Sequence, residues 1–308
     1  MAILLRKPGP PQLVEDVPPP TAYDQRFTSV VGEGTQLLSL YDQAVFSEGP
    51  AWWPAREILI WSDVEGRRVL GWHSDGQVEV IVDATPFTNG HTIDAQGNLI
   101  HCEHGSRGLS CTTPAGQTTA LVQDYKGQRF NSPNDVTCAP DGTLWFTDPA
   151  FGLQSPRQGA LDEPEVDHRS VYRFDPRTGQ VSRMADFEQP NGIGFSPDGC
   201  TLYVSDTSQA LGGTLHEIQA LDVGSDGCLG SRRVFRIVEP GVPDGFCVDQ
   251  RGWIWTSSGS GVQVFSDKAE ALGLIPTLQA ATNCAFGPGE QRLFITSQQH
   301  LYAIDLGQ

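Results

Sequence analysis

The 308-residue sequence predicts an all-β chain folded as a six-bladed β-propeller, with a metal site at the mouth of its central channel. Three observations lead there. From Phe27 onward, short apolar runs rich in Val, Ile, Trp, Phe and Thr alternate with Gly, Pro, Asp and Asn, which is a rhythm of strands and turns. Six of these runs repeat one pattern. A polar residue precedes each of the six at a nearly fixed distance.

The repeat is a turn followed by a short apolar strand ending in Ser, Thr or an acid: Glu57–Asp63, Gly97–Glu103, Gly142–Asp148, Cys200–Asp206, Gly252–Ser258 and Gln291–Ser297. Anchored on Leu59, Leu99, Leu144, Leu202, Ile254 and Leu293, the copies are spaced by 40, 45, 58, 52 and 39 residues. That is the size of a four-stranded propeller blade. Arg68–Trp72, Gln77–Val82, Ser170–Phe174 and Gly261–Phe265 supply outer strands. The longest step contains Gln154–Arg169, a polar stretch read as a loop inserted on one face, where it edges a ligand pocket. Ring closure uses residues 27–46 or the final strand Leu301–Asp305.

Residues 1–22 carry Pro8, Pro10, Pro11, Pro18, Pro19 and Pro20, a density that argues against regular elements, so they are read as an extended arm ahead of a single propeller domain spanning 23–308. The balance of 20 Lys+Arg against 37 Asp+Glu, a net charge of −17, disfavours nucleic acid and anionic membranes as partners. Seven scattered cysteines without a CxxC pair fit a reducing compartment better than a disulfide framework. The first residues form too short an apolar run for a signal peptide, and a soluble, cytoplasmic protein is expected.

Ten or eleven residues before each anchor stand Glu48, Asn89, Asn134, Asn191, Asp244 and Asn283. Any one of them reads equally as a turn residue, because Asn and Asp tolerate positive φ and several are followed by Gly. Six at matching offsets point instead at the propeller axis, where they offer two carboxylates and four amides. Such an oxygen set suits a hard cation, Ca²⁺ first, with Mg²⁺, Mn²⁺ or Zn²⁺ as alternatives.

These motifs, Phe46-Ser-Glu48-Gly-Pro, His101-Cys-Glu-His104-Gly, Arg129-Phe-Asn131-Ser-Pro-Asn134-Asp135, Trp145-Phe-Thr-Asp148-Pro, Gln189-Pro-Asn191-Gly and Pro243-Asp244-Gly, resemble the SMP-30/gluconolactonase-like family, in particular its bacterial gluconolactonase branch, over about residues 27–306. The resemblance implies a calcium-dependent six-bladed propeller in which Glu48, Asn191 and Asp244 are metal ligands, Asn134 is a ligand or substrate contact, and Asp244 also transfers a proton. It implies a sugar-lactone substrate, with Arg129, Asn131 or Asp135 as its contacts. Asn89 and Asn283 inherit no role and read as channel-lining amides.

Outside the resemblance, His104 at the end of an inner strand is a candidate for proton transfer or substrate contact, and His91, His101 and His168 read as structural. Asp148 either lines the substrate pocket or pairs with backbone amides at its strand end. The tryptophans read as blade packing. No Gly-rich phosphate loop, HExxH or GxSxG motif appears. The expected activity is hydrolysis of an aldonolactone such as D-glucono-1,5-lactone. The alternatives are a phosphotriesterase or other-lactone hydrolase on the same metal, or a non-catalytic calcium-binding propeller.

Overall fold

The computed structural model describes residues 3–7 and 9–307, so Met1, Ala2, Pro8 and Gln308 lie outside the described residues. Six antiparallel sheets of four or five strands follow one another in sequence, with a two-stranded ladder, Asp124–Tyr125 and Gln128–Arg129, between the second and the third. Blades 1 to 5 each run from the inner strand outward, beginning at Ser47–Trp53, Thr88–Ile93, Val136–Cys138, Pro190–Phe195 and Phe246–Val248. Blade 6 takes Asn283–Phe286, Arg292–Ser297 and His300–Asp305 from the end of the chain and Leu38–Tyr41 from its beginning, so both closure candidates contribute to one sheet.

The six anchors lie on the second strands, and each is at most 1% exposed. A strand sandwiched between two neighbouring blades has no solvent face, which explains its nearly continuous apolar run. In Leu144–Asp148 of blade 3, Leu144 and Phe146 pack toward blade 2 while Trp145 packs toward blade 4. The buried apolar residues fall into six clusters, one for each blade-to-blade interface. Trp61, Trp145 and Trp255 are buried in these interfaces, each large side chain contributing roughly 1.5–3 kcal/mol of hydrophobic stabilisation.

Two features depart from the sequence reading. The arm is not free of regular structure: Ile3–Arg6 pairs with the outer strand of blade 1, Gln12–Leu13 with Leu38–Tyr41 of blade 6, and Thr21–Ala22 with Ala271–Pro276 of blade 5. Its described prolines fall between these short strands, where no ladder donor is needed. Secondly, Gln25–Val30 forms a helix capped by Asp24, whose side chain accepts from Arg26 N at 2.9 Å, and it buries Phe27 and Val30 between blades 5 and 6. Among the described residues, no helix is long and apolar enough to cross a membrane.

Candidate active site

Two devices, repeated around the ring, aim side chains at the axis. The first is the acid that ends the second strand. Asp63 accepts from the backbone N–H groups of Val45 and Phe46, Asp148 from those of Asn131 and Ser132, and Asp206 from those of Glu188 and Gln189. Each clamps the segment two and three residues ahead of Glu48, Asn134 or Asn191, so the strand-end role of Asp148 is the one the structure displays. Burial pushes its carboxyl up to about 7 despite these donors.

The second device joins neighbouring blades. Hydroxyls of Ser62, Thr147 and Ser205 donate to the carbonyls of Asn89, Asn191 and Asp244 on the following blade at 2.7, 2.7 and 2.9 Å. Gly90 N–H donates to the Asn134 carbonyl at 2.8 Å and Gly192 N–H to that of Asp244 at 2.9 Å. Of the four glycines that follow axial residues, only Gly49 has a left-handed φ, at +52°. At the others a Cβ would collide with a neighbour: one on Gly90 would lie 2.4 Å from Asp135 Oδ1 and 2.6 Å from Asn134 O, one on Gly192 2.8 Å from Asp244 O, and one on Gly245 2.0 Å from the Asn283 side chain.

Glu48, Asn89, Asn134, Asn191 and Asp244 line one cavity of about 330 Å³. A larger cavity of about 640 Å³ under the insert is lined by Asn131, His168 and Arg169 but lacks this convergence. Burial and the nearby Asp244 push the Glu48 carboxyl well above its ordinary range, and burial pushes Asp244 up to about 6, opposed by hydrogen bonds from Asn191 and Glu48. Asn191 Nδ2 donates to Asp244 Oδ1 at 2.5 Å. No Lys or Arg stands among the lining residues, so the buried Glu48 and the half-buried Asp244 face the cavity without a cationic side chain beside them. Among the described residues no group of three His, Cys, Asp or Glu side chains is placed to hold a metal, so any cation here would depend on the amide oxygens as well.

Asn283 does not join this set. In blade 6 the equivalent position is Thr282, whose carbonyl accepts from Gly245 N–H at 2.7 Å as those of Asn134 and Asp244 do from Gly90 and Gly192. The turn after the inner strand of blade 6 is one residue longer than that of blade 3: Phe286 pairs with Leu293 where Cys138 pairs with Leu144. Counting back ten therefore lands one residue late. Asn283 and Asp135 both line the cavity at the other end of the channel. Burial pushes the Asp135 carboxyl up to about 7, and the Asn283 amide opposes the rise both there and at Glu48.

Arg129 and Asn131 are likewise not brought to the cavity. Arg129 is exposed and pairs with Glu165 at 2.5 Å and Asp162 at 3.0 Å. Asn131 is buried and donates through Nδ2 to the His168 carbonyl at 2.9 Å. An exposed pair of this kind is worth roughly 0–1 kcal/mol. Arg129→Ala is therefore expected to leave kcat/KM within about fivefold of the parent, measured by initial rates on whichever lactone the protein turns over.

His104 is buried behind the cavity wall, its Nδ1 2.9 Å from the Gln158 carbonyl, and burial pushes it down to about 4. A short helix, Phe151–Gln154, leads into the insert, and Gln154, Ser155 and Gln158 line the cavity, as expected of a pocket-edging loop, together with Phe151 just ahead of it. Sequence reasoning did not find Phe46, Thr207, Ala210, Leu211 and Val242, which complete the lining. Thr207 directly follows the Ser205-Asp206 strand end and Val242 stands two residues before Asp244, so extending the repeat outward would have reached both. Leu211 ends a 3₁₀ turn, Ser208–Leu211, that has no counterpart in the repeat.

The model of the SMP-30/gluconolactonase/LRE-like region matches residues 46–299. A gluconolactonase of Zymomonas mobilis is 28% identical, over 92% of this chain and 85% of its own length, and a pentonolactonase of Haloferax volcanii is 26% identical, over 81% and 80%. The solved structure of a gluconolactonase from Xanthomonas campestris superposes with a TM-score of 0.94 at 50% identity, covering 98% of this chain and 99% of that one. With the six blades and the convergent axial residues, these matches establish that the chain belongs to the SMP-30/gluconolactonase/LRE-like family.

Proposed function

We propose that the protein is a metal-dependent lactonase that hydrolyses an aldonolactone such as D-glucono-1,5-lactone to the aldonic acid, carried by one propeller domain over residues 23–308. Glu48, Asn134, Asn191 and Asp244 would hold a divalent cation, Ca²⁺ ahead of Mg²⁺, Mn²⁺ or Zn²⁺, and Asp244 would also transfer a proton. The observation that carries this reading is the buried Glu48 carboxyl and the half-buried Asp244 carboxyl, facing amides in one cavity with no Lys or Arg in its lining. Lactone hydrolysis by the Zymomonas, Haloferax and Xanthomonas relatives, as their names describe it, supports the substrate class. The scattered spacing of the seven cysteines, with no CxxC pair, supports a reducing, cytoplasmic setting.

A cation held by Glu48, Asn134, Asn191 and Asp244 would supply Lewis-acid polarisation of the lactone carbonyl and charge to offset the alkoxide that develops there. The chain's own groups do the rest. Phe46, Phe151, Leu211 and Val242 offer apolar surface to the carbon face of the ring and displace water, while Gln154, Ser155, Gln158 and Thr207 offer partners for hydroxyl groups. The Asn191 amide holds Asp244 Oδ1, leaving Oδ2 to accept a proton from the attacking water. Water oxygen bonds to the carbonyl carbon, the ring C–O bond breaks, and the proton passes to the departing ring oxygen. Burial raises the basicity of Asp244 and a bound cation opposes that rise, so it is ionised near neutral pH yet still accepts a proton.

The raised carboxyls give this reading a signed pH dependence. A carboxyl whose folded pKa lies above its unfolded value binds an extra proton in the folded state between the two, so its contribution to stability declines as pH rises through that window. For Asp244 the window runs from its ordinary 3.8 to about 6. The metal-free protein is expected to lose stability across it, and a cation must displace the retained proton to bind. Affinity for Ca²⁺ should therefore weaken by up to about tenfold per pH unit below about 6 for each proton displaced, measured by calorimetric titration of chelator-stripped protein at pH 5 and 7. Equal affinities at the two pH values would contradict carboxylate ligation. Rates on glucono-lactone and on a phosphotriester, compared under one cation, test the substrate class.

A further inference from the structure

His104 stands between the insert and two axial amides. The residue is 1% exposed and packs so tightly under the Phe151–Gln154 helix that a Cβ on Gly152 would meet the His104 Cβ at 2.7 Å. A backbone carbonyl can only accept, so the 2.9 Å contact with Gln158 O places the proton on Nδ1. Nε2 is then a bare acceptor. It faces Asn89 Nδ2 at 3.3 Å and Asn134 Nδ2 at 3.4 Å.

An amide has its oxygen and its nitrogen on opposite edges, and nothing in its shape decides which edge faces a ligand. With Nδ2 drawn to His104, each of these amides presents Oδ1 away from it. Both residues line the cavity that carries Glu48 and Asp244. Asn191 is set in the same way by other means, its Nδ2 donating to Asp244 Oδ1 and, at 3.4 Å, to Thr207 Oγ1.

We infer that His104 is a positioning residue that turns the carbonyl oxygens of Asn89 and Asn134 into the cavity, making both amides cation donors and tying their orientation to the insert through Gln158. This rests on the metal reading above. Groups that orient metal ligands in this way are typically worth ten- to hundredfold in metal affinity. Without the acceptor, each amide is free to rotate half a turn and offer its NH₂ group, a donor that a cation repels.

The two halves of the histidine can be removed separately. In His104→Asn, a side-chain NH₂ stands near the place of Nδ1, where it can still reach the Gln158 carbonyl, but nothing replaces Nε2. In His104→Gln, a side-chain oxygen can occupy the place of Nε2. Calorimetric titration of the chelator-stripped full chain with Ca²⁺ is expected to show affinity ten- to hundredfold weaker in His104→Asn, with the metal-free thermal midpoint close to the parent, and recovery to within about threefold in His104→Gln. Equal affinity in the parent and His104→Asn, or equal loss in both variants, would overturn the inference. Nitrogen NMR of the histidine rings in the unmutated protein tests it without relying on either variant to fold: an Nδ1–H tautomer at His104 is expected, and an Nε2–H tautomer would overturn it. A parent protein that takes up none of Ca²⁺, Mg²⁺, Mn²⁺ or Zn²⁺ would overturn the metal reading itself, and this inference with it.

Discussion

Asp244→Asn is expected to lower kcat for lactone hydrolysis by about 10²–10⁴-fold, and saturating cation is not expected to restore it. The substitution keeps the shape of the side chain and one oxygen that can still accept from Asn191 Nδ2, the 2.5 Å contact that now fixes Asp244. The backbone is held independently, since its carbonyl accepts from Gly192 N–H and from Ser205 Oγ, both at 2.9 Å. The fold should therefore survive, and because burial and Asp244 both push the Glu48 carboxyl upward, removing one charge of the pair relieves the metal-free protein. A thermal midpoint at or above that of the parent, together with lost turnover, would separate chemistry from folding. Activity that returns as cation is raised would mean that Asp244 is a ligand alone and that the proton goes elsewhere.

Gly90→Ala is expected to damage the site as severely from a position that carries no side chain at all. The added Cβ would lie 2.4 Å from Asp135 Oδ1 and 2.6 Å from the Asn134 carbonyl, inside any tolerable contact, and the second of these is backbone that cannot swing away. The same carbonyl accepts the 2.8 Å hydrogen bond from Gly90 N–H that joins blade 2 to blade 3. To admit the methyl group the two inner strands must separate, which moves Asn89 and Asn134 apart and strains the interface of Leu109, Phe130 and Phe146 behind them. Overpacking of this kind costs about 1–3 kcal/mol and more where backbone must shift. Thermal denaturation should show a midpoint several degrees lower, and Ca²⁺ titration a weakened site. An unchanged midpoint would mean that the blades slide more freely than the contacts indicate.

Much of the fold was legible because a propeller writes its geometry into the chain repeatedly. Leu59, Leu99, Leu144, Leu202, Ile254 and Leu293 occupy the same buried place six times, so the spacing of one aliphatic position located every second strand. The axial residues were legible for the same reason, and Asn283 shows the limit of that reasoning: it lines the channel as expected, but one extra residue in a turn puts it in the cavity at the other end. What repetition cannot encode stayed hidden. Arg129 sits within a motif next to axial residues, yet its partners Asp162 and Glu165 lie in the insert, which occurs once. The arm's strands pair with blades 1, 6 and 5 through backbone groups, which leave no pattern in the side chains. His104 was visible as a candidate, but its role depends on which ring nitrogen carries the proton, and that is set by the carbonyl of Gln158, 54 residues away.

Lactone hydrolysis as proposed requires a cation held by the axial carboxylates and amides. Its most direct test is pH-stat hydrolysis of D-glucono-1,5-lactone by chelator-stripped protein, with the spontaneous rate subtracted, before and after addition of Ca²⁺, Mg²⁺, Mn²⁺ or Zn²⁺. Activity absent from the stripped protein and restored by at least one cation in the parent, but not in Asp244→Asn, is the expected result. Full activity in protein verified to be free of metal, or no rate above background with any of the four, would contradict it.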